Sequence, residues 1–78
     1  MRVPVTGAQF RRDVKRAQKR GRDMSKLREV ITLLIDHPLS REWKHFRDCH
    51  IEPDRLLLYK IDGEYLHLSR TGTHSDLF

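Results

Sequence analysis

The sequence is poor in cysteine, in glycine and in long apolar runs. Its single cysteine, Cys49, cannot form a disulfide within the chain, so nothing in it requires an oxidising compartment. No apolar run approaches the roughly 18 residues of a membrane span, and the opening residues M-R-V-P-V-T-G contain no signal-peptide core. The four glycines are isolated, which excludes a glycine-rich phosphate loop. These absences predict a cytoplasmic location.

Histidine, by contrast, is abundant: the 78 residues include five, at positions 37, 45, 50, 67 and 74. Their spacing matches no zinc pattern, no H-E-x-x-H motif occurs, and no Ser-His-Asp arrangement has support. We therefore expect neither a metal nor another cofactor. The histidines remain as groups that can give or take a proton near neutral pH.

Positive charge is in excess, with 16 Lys and Arg against 11 Asp and Glu, a net charge of +5. Such an excess favours a polyanionic partner, which can be nucleic acid, an acidic protein or an anionic membrane surface. A basic surface that only faces solvent is the plainer alternative.

Periodicity predicts two helices followed by three strands, after a short first strand over residues 2–6 that Pro4 marks as an edge or an irregular strand. The first helix covers residues 8–19, carries an apolar stripe and ends at Gly21. The second helix begins at Asp23 or Ser25 and runs to Ile35, and the later strands cover residues 43–50, 55–61 and 64–70. The chain is thus predicted to be one α+β domain over residues 1–78, in the order β-α-α-β-β-β. Two helices pack on one face of a small, mainly antiparallel sheet.

Asp62-Gly63 predicts a tight hairpin between the last two strands. With these two residues as the loop, Leu57 and Tyr59 share the core face with Leu66 and Leu68. Arg55 then lies opposite Arg70. A phosphate between these two arginines would turn their repulsion into a clamp.

The junction after the second helix is abrupt, because Asp36-His37-Pro38 follows Ile35 with no capping residue. Pro38 disfavours helix at His37 and forces a sharp turn.

Several side chains near strand ends have the chemistry that RNA cleavage needs: a base for the 2′-hydroxyl, an acid for the 5′-oxygen, a cation for the phosphate and a ring to stack a base. They are His50, Asp54, Arg70, His74 and Phe78. Ordinary interpretations stay open: His50, like His37, as an exposed turn residue, Asp54 as a turn residue after Pro53, and Phe78 as a core side chain.

Four stretches resemble the YafQ branch of the RelE/ParE superfamily of toxins. They are D-V-K-R-A-Q-K-R-G-R-D-M-S-K-L (13–27), D-H-P-L (36–39), W-K-H-F-R-D-C-H-I-E-P-D (43–54) and R-T-G-T-H-S-D-L-F (70–78). They span nearly the whole chain in the right order, and the segments R-D-x-H-x-E-P-D and R-T-G-T-H-x-x-L-F are specific to that branch.

The resemblance implies a RelE-like fold and a ribosome-dependent, metal-independent endoribonuclease that cuts mRNA in the decoding site and arrests translation. It implies a cognate, DinJ-like antitoxin in a hetero-oligomer, with operator DNA bound only through the antitoxin. A toxin of the same fold that binds DNA gyrase and cuts no RNA is the alternative. A basic module that only binds nucleic acid or a partner is a third.

The family's active-site positions fall on His37, His50, Asp54, Arg70, His74 and Phe78. The resemblance makes His74 the general acid, and it makes Asp54 and His50 candidates for general base or for positioning the nucleophile. Arg70 would hold the phosphate and Phe78 would contact a base. Two further cations, Arg47 and Arg55, are candidate substrate contacts, the latter where relatives carry tryptophan.

Relatives also have about a dozen more residues before D-H-P-L. Either this protein has lost that loop between Ile35 and Asp36, or the printed sequence omits it. The abrupt junction favours omission, and an intact mass of 9.4 kDa would exclude it.

The basic first helix has two candidate uses under this resemblance. It can face ribosomal RNA or receive acidic residues of the antitoxin. Competition for one surface would neutralise the toxin. Its cations are Arg11, Arg12, Lys15, Arg16, Lys19 and Arg20.

Overall fold

A computed structural model describes residues 2–36 and 47–78. The elements follow the predicted order and add a short helix at the end. They are β1 (Val3–Thr6), α1 (Ala8–Lys19), α2 (Ser25–Asp36), β2 (Arg47–Glu52), β3 (Arg55–Asp62), β4 (Tyr65–Gly72) and α3 (His74–Leu77).

The four strands form one sheet in the order β1-β4-β3-β2, with β1 parallel to β4 and the other pairs antiparallel. The prediction that β1 is an edge strand is therefore confirmed. Phe10 of α1 and Leu27 of α2 pack on one face of the sheet, against a cluster that comprises Leu57, Tyr59, Ile61, Leu66 and Leu68. The predicted α+β class, with both helices on one face, is also confirmed.

Helix α1 has the predicted bounds because its last turn carries a strong stop. Gly21 has a φ of +74°, a value that glycine tolerates and other residues disfavour. The N–H groups of Gly21 and Arg22 donate to the carbonyls of Gln18 and Ala17, which is the Schellman arrangement. Helix α2 begins at Ser25, whose N–H donates to the Asp23 side chain at 2.9 Å.

The predicted hairpin register is wrong. Asp62 pairs with Tyr65, so the loop is Gly63-Glu64. Gly63, with a φ of +58°, takes the first central position, which is the glycine position of a type II′ turn. A bulge at Ser69 then shifts the register again, since Tyr59 pairs with Leu68 but Leu58 pairs with Arg70.

The predicted clamp between two facing arginines fails for the same reason, because Arg55 and Arg70 do not pair. The predicted core residues of β3 and β4 nevertheless share one face, since the shift of two residues at the loop preserves the alternation of faces.

Three of the sequence expectations fall on residues 37–46, outside the described part of the chain. They are the placement of His37, the start of the strand predicted from residue 43, and the D-H-P-L junction. A single domain and a shortened or omitted loop therefore stay predictions. Within the described residues, no helix is long and apolar enough to cross a membrane.

Candidate active site

Four of the residues singled out from the sequence meet at one end of the sheet. His50 of β2 pairs with Leu56 of β3, which in turn pairs with Gly72, the last residue of β4. The turn between β2 and β3 carries Asp54, and α3 starts at His74, two residues beyond Gly72. The antiparallel register thus brings His50 and Asp54 close to His74, which follows them by 24 and 20 positions in sequence.

His74 lies at the centre of this cluster. Its Nδ1 is 3.6 Å from Oδ1 of Asp54, and its ring centroid is 5.8 Å from that of His50 and 6.4 Å from that of Phe78. The cluster is open to solvent: Phe78 is 81% exposed, which excludes the interpretation of this ring as a core side chain. Two imidazoles, a carboxylate and an exposed ring are therefore available to a bound molecule.

Helix α3 is held by a capping box that the sequence reasoning missed. The Thr73 side chain accepts from the N–H of Asp76 at 3.2 Å, and the N–H of Thr73 donates to the Asp76 carboxylate at 3.1 Å. The signal was present in the sequence, as a threonine followed three residues later by an acid. By fixing the backbone of α3, this cap fixes the positions from which the side chains of His74 and Phe78 project.

Asp76 also connects α3 to α1. Its Oδ2 lies 2.9 Å from Nη1 of Arg20 and 3.8 Å from Nη2 of Arg16. The hydrogen bond from Arg20, followed by that from the Thr73 N–H, holds the pKa of Asp76 well below its ordinary value. A side chain at Gly72 would press on this contact, because a Cβ there would lie 3.0 Å from Cβ of Asp76.

Arg70 is fixed by a buried acid of α1. Its Nε donates to Oδ2 of Asp13 at 2.8 Å and its Nη2 to Oδ1 at 3.3 Å. Burial by itself would raise the pKa of Asp13, but the hydrogen bonds from Arg70, from the Thr71 N–H and from Gln9 outweigh it, and the pKa is lowered. The hydrogen bonds with Asp13 hold the pKa of Arg70 above its ordinary value.

Residues 2–78 match the family model described as the bacterial toxin of a type II toxin–antitoxin system, YafQ. The chain belongs to the YafQ family. It is 49% identical to the mRNA interferase toxin YafQ of Escherichia coli strain B/BL21-DE3 over 81 aligned positions, which cover 90% of this chain and 88% of that protein.

Two solved structures extend the likeness of this YafQ family member to the fold. The E. coli DinJ–YafQ complex contains a chain with a TM-score of 0.85 and 45% identity, and the match covers 100% of this chain and 99% of that one. A metal-bound toxin from Helicobacter pylori matches with a TM-score of 0.86 and 36% identity over 100% of both chains.

The two extra cations do not join the cluster of this YafQ-type site. Arg55 is 2% exposed, its Nη1 donates to the Asp23 carbonyl at 3.2 Å, and it lies 3.5 Å from Glu52. It therefore links the start of β3 to the segment before α2, and the interpretation as a substrate contact does not fit a buried, engaged guanidinium. Arg47 pairs with Tyr59 and thus belongs to the helix-covered face, opposite His50.

No group of three or more His, Cys, Asp or Glu in residues 2–36 and 47–78 is arranged to hold a metal ion. Asp54 and the two imidazoles of the cluster are side chains of the types that transfer protons in acid–base chemistry. Arg70 supplies a fixed cation on β4, the strand that leads into α3.

Proposed function

We propose that this protein is the toxin of a type II toxin–antitoxin pair and an endoribonuclease that cuts mRNA in the ribosomal A site. The observation that carries the proposal is the meeting of His50, Asp54 and His74 beside the exposed ring of Phe78. Family membership adds direct support, because relatives about 49% identical are named mRNA interferase toxins. A protein that only binds gyrase or nucleic acid has no need of such a group.

The proposed reaction is attack of a ribose 2′-oxygen on the adjacent phosphorus. A bond forms between O2′ and phosphorus, the bond from phosphorus to O5′ breaks, a base takes the 2′ proton, and an acid returns a proton to O5′. Each well-placed proton transfer is worth about 10²- to 10⁴-fold in rate. No other covalent chemistry is required of the protein.

We assign the acid to His74, the acid already expected from the family resemblance. When this imidazole is protonated, its Nδ1–H faces Asp54 at 3.6 Å and its Nε2–H is left for the leaving oxygen. The carboxylate lies where it can orient the ring. With Asp54 so engaged, His50 is the better candidate for the base, and His37 stays a further candidate from the resemblance.

The proposed partners are a DinJ-like antitoxin, the ribosome and mRNA, and operator DNA only through the antitoxin. In the E. coli relative, YafQ is found in complex with DinJ. Two cations, Arg16 of α1 and Arg20 at its C-cap, are turned toward Asp13 and Asp76. Four others remain exposed for polyanion binding: Arg11, Arg12, Lys15 and Lys19. A cytoplasmic location is inferred, since translating ribosomes are the site of action.

The test is primer extension on a translated message, with wild type and His74→Ala. We expect codon-phased cuts from wild type and a loss of about 10²-fold or more in the variant, with folding and antitoxin binding retained. His67→Ala is the matched control, because His67 is on β4 with its ring beside Tyr65, away from the cluster. If His74→Ala cut the message at the wild-type rate, His74 would not be the general acid.

The gyrase alternative is tested in the same extract. A protein that acts on gyrase without cutting RNA would inhibit DNA supercoiling and leave the message intact. If wild-type protein produced no codon-phased RNA ends, the proposal of a nuclease would therefore be wrong.

A further inference from the structure

Asp13 is a fully buried carboxylate on a helix that otherwise carries only basic charges. It accepts five hydrogen bonds, which come from Gln9, Arg16, the N–H of Thr71 and two nitrogens of Arg70. Arg70 and Asp13 are 57 positions apart in sequence. A charge this deeply buried is costly unless it is paired in this way.

One of these bonds has a structural explanation. Strand β1 ends at Thr6, which pairs with Leu68, whereas β4 continues to Gly72. The N–H of Thr71 has no β1 partner and donates instead to Oδ2 of Asp13 at 3.1 Å. A neutral acceptor on α1 would meet that need, so the Thr71 contact alone does not explain the charge of Asp13.

The contact with Arg70 has a geometry that leaves half of the guanidinium available. Asp13 occupies the edge formed by Nε and Nη2, which uses two of the five N–H groups. Of the remaining three, two form the other edge, between Nη1 and Nη2, and the third, on Nη1, points toward the Cδ side. Within residues 2–36 and 47–78 they have no hydrogen-bond acceptor, and the side chain is 29% exposed.

The side chain of Arg70 projects from the same face of the sheet as that of His50. Arg70 pairs with Leu58 and His50 with Leu56, and these two leucines alternate with the core residues Leu57 and Tyr59. Strand alternation places both side chains on the face that the helices do not cover. The bulge at Ser69 produces this placement, since without it Arg70 would share the face of Leu68.

We propose that Arg70 works with both edges: Asp13 holds the Nε–Nη2 edge, and the Nη1–Nη2 edge binds the scissile phosphate. Asp13 is therefore a positioning residue of the active site. Only arginine can do this, because a guanidinium offers two bidentate edges in one rigid plane and an ammonium offers none. The inference rests on the proposed nuclease function.

The test is a double-mutant cycle on the cleavage rate at saturating ribosomes, with Asp13→Asn and Arg70→Ala separately and together. We expect Asp13→Asn to slow cleavage about 10- to 100-fold by loosening the phosphate donor, and Arg70→Ala by about 10²- to 10³-fold. The double variant should be no slower than Arg70→Ala alone. Additive losses, or an unchanged rate in Asp13→Asn, would refute the positioning role.

Two further variants separate positioning from stability. Arg70→Lys keeps a cation for Asp13 but has no second edge, so we expect a folded protein that cleaves as poorly as Arg70→Ala. Leu27→Ala weakens the core on α2 and should leave the rate per folded molecule unchanged. Near-wild-type cleavage by Arg70→Lys overturns the inference even where Asp13→Asn does not fold.

Failure of this inference is distinguishable from failure of the proposed function. If wild type cuts the message and Asp13→Asn cuts it equally well, only the positioning role is lost. If wild type cuts nothing, the nuclease and the phosphate contact are both lost.

Discussion

At the scale of single residues, Phe78 is a large apolar side chain with almost no packing. It is 81% exposed and its ring lies 6.4 Å from that of His74. We expect Phe78→Ala to change the free energy of unfolding by less than about 0.5 kcal/mol. Cleavage should fall about 5- to 160-fold, since stacking of a base on an aromatic ring is worth about 1–3 kcal/mol.

The matched control is Leu33→Ala, an apolar side chain on α2 that is 67% exposed and far from the cluster in the fold. Denaturant unfolding and primer extension on both variants compare stability with activity. If Phe78→Ala unfolds as easily as a core variant, or if Leu33→Ala loses cleavage equally, Phe78 has no specific part in the site.

At the scale of elements, α3 depends on its cap. The helix has four residues, none of them buried, so packing contributes little to it. We expect Thr73→Ala to cost about 1 kcal/mol locally and to let the helix fray. Hydrogen exchange at the Phe78 amide, which donates to the His74 carbonyl at 2.9 Å, should accelerate, and cleavage should fall with it.

Two variants serve as controls for the Thr73→Ala experiment. Thr73→Ser retains the capping oxygen and should behave as wild type, whereas Ser75→Ala alters an exposed side chain on the same helix and should change neither measurement. Equal exchange rates in Thr73→Ala and wild type would show that Arg20 and Arg16 hold α3 without the cap.

The elements also show what the sequence could predict. Both helices and the core strands were predictable, because apolar spacing and the Gly21 stop are local signals. The register of the hairpin was not predictable. It depends on whether Gly63 takes the first or the second position of the two-residue loop, and on a bulge at Ser69, and neither has a local signature. The sequence showed that His50, Asp54 and His74 have acid–base side chains. It could not show the role of Asp13, because that role depends on a contact with Arg70, 57 positions away.

At the scale of the whole molecule, α1 joins the core to the active site. Its apolar stripe packs on the sheet through Phe10, while Asp13 holds Arg70 and Arg20 holds Asp76 of α3. The geometry of the site is therefore tied to the same ion pairs that stabilise the fold. A domain of this size has a small stability margin, so the loss of either pair matters for both.

These ion pairs predict how stability depends on pH. Asp13 and Asp76 both have a pKa below the ordinary value of 3.8 in the folded protein, so the unfolded chain binds protons first as the pH falls. Their stabilisation is complete above about pH 5 and is lost below it, with a slope of up to about 1.4 kcal/mol per pH unit for each carboxyl. Above about pH 5 neither carboxyl makes the free energy of unfolding depend on pH.

Urea unfolding at a series of pH values measures this slope. Asp76→Asn should lower stability near neutral pH and flatten the profile between about pH 5 and pH 2, since one linked proton is removed. A residual slope is expected from Asp13 and from Asp23, whose pKa is lowered by its hydrogen bonds from Ser25. A variant profile parallel to that of wild type would mean that the pairing of α3 with α1 does not contribute to the stability of the fold.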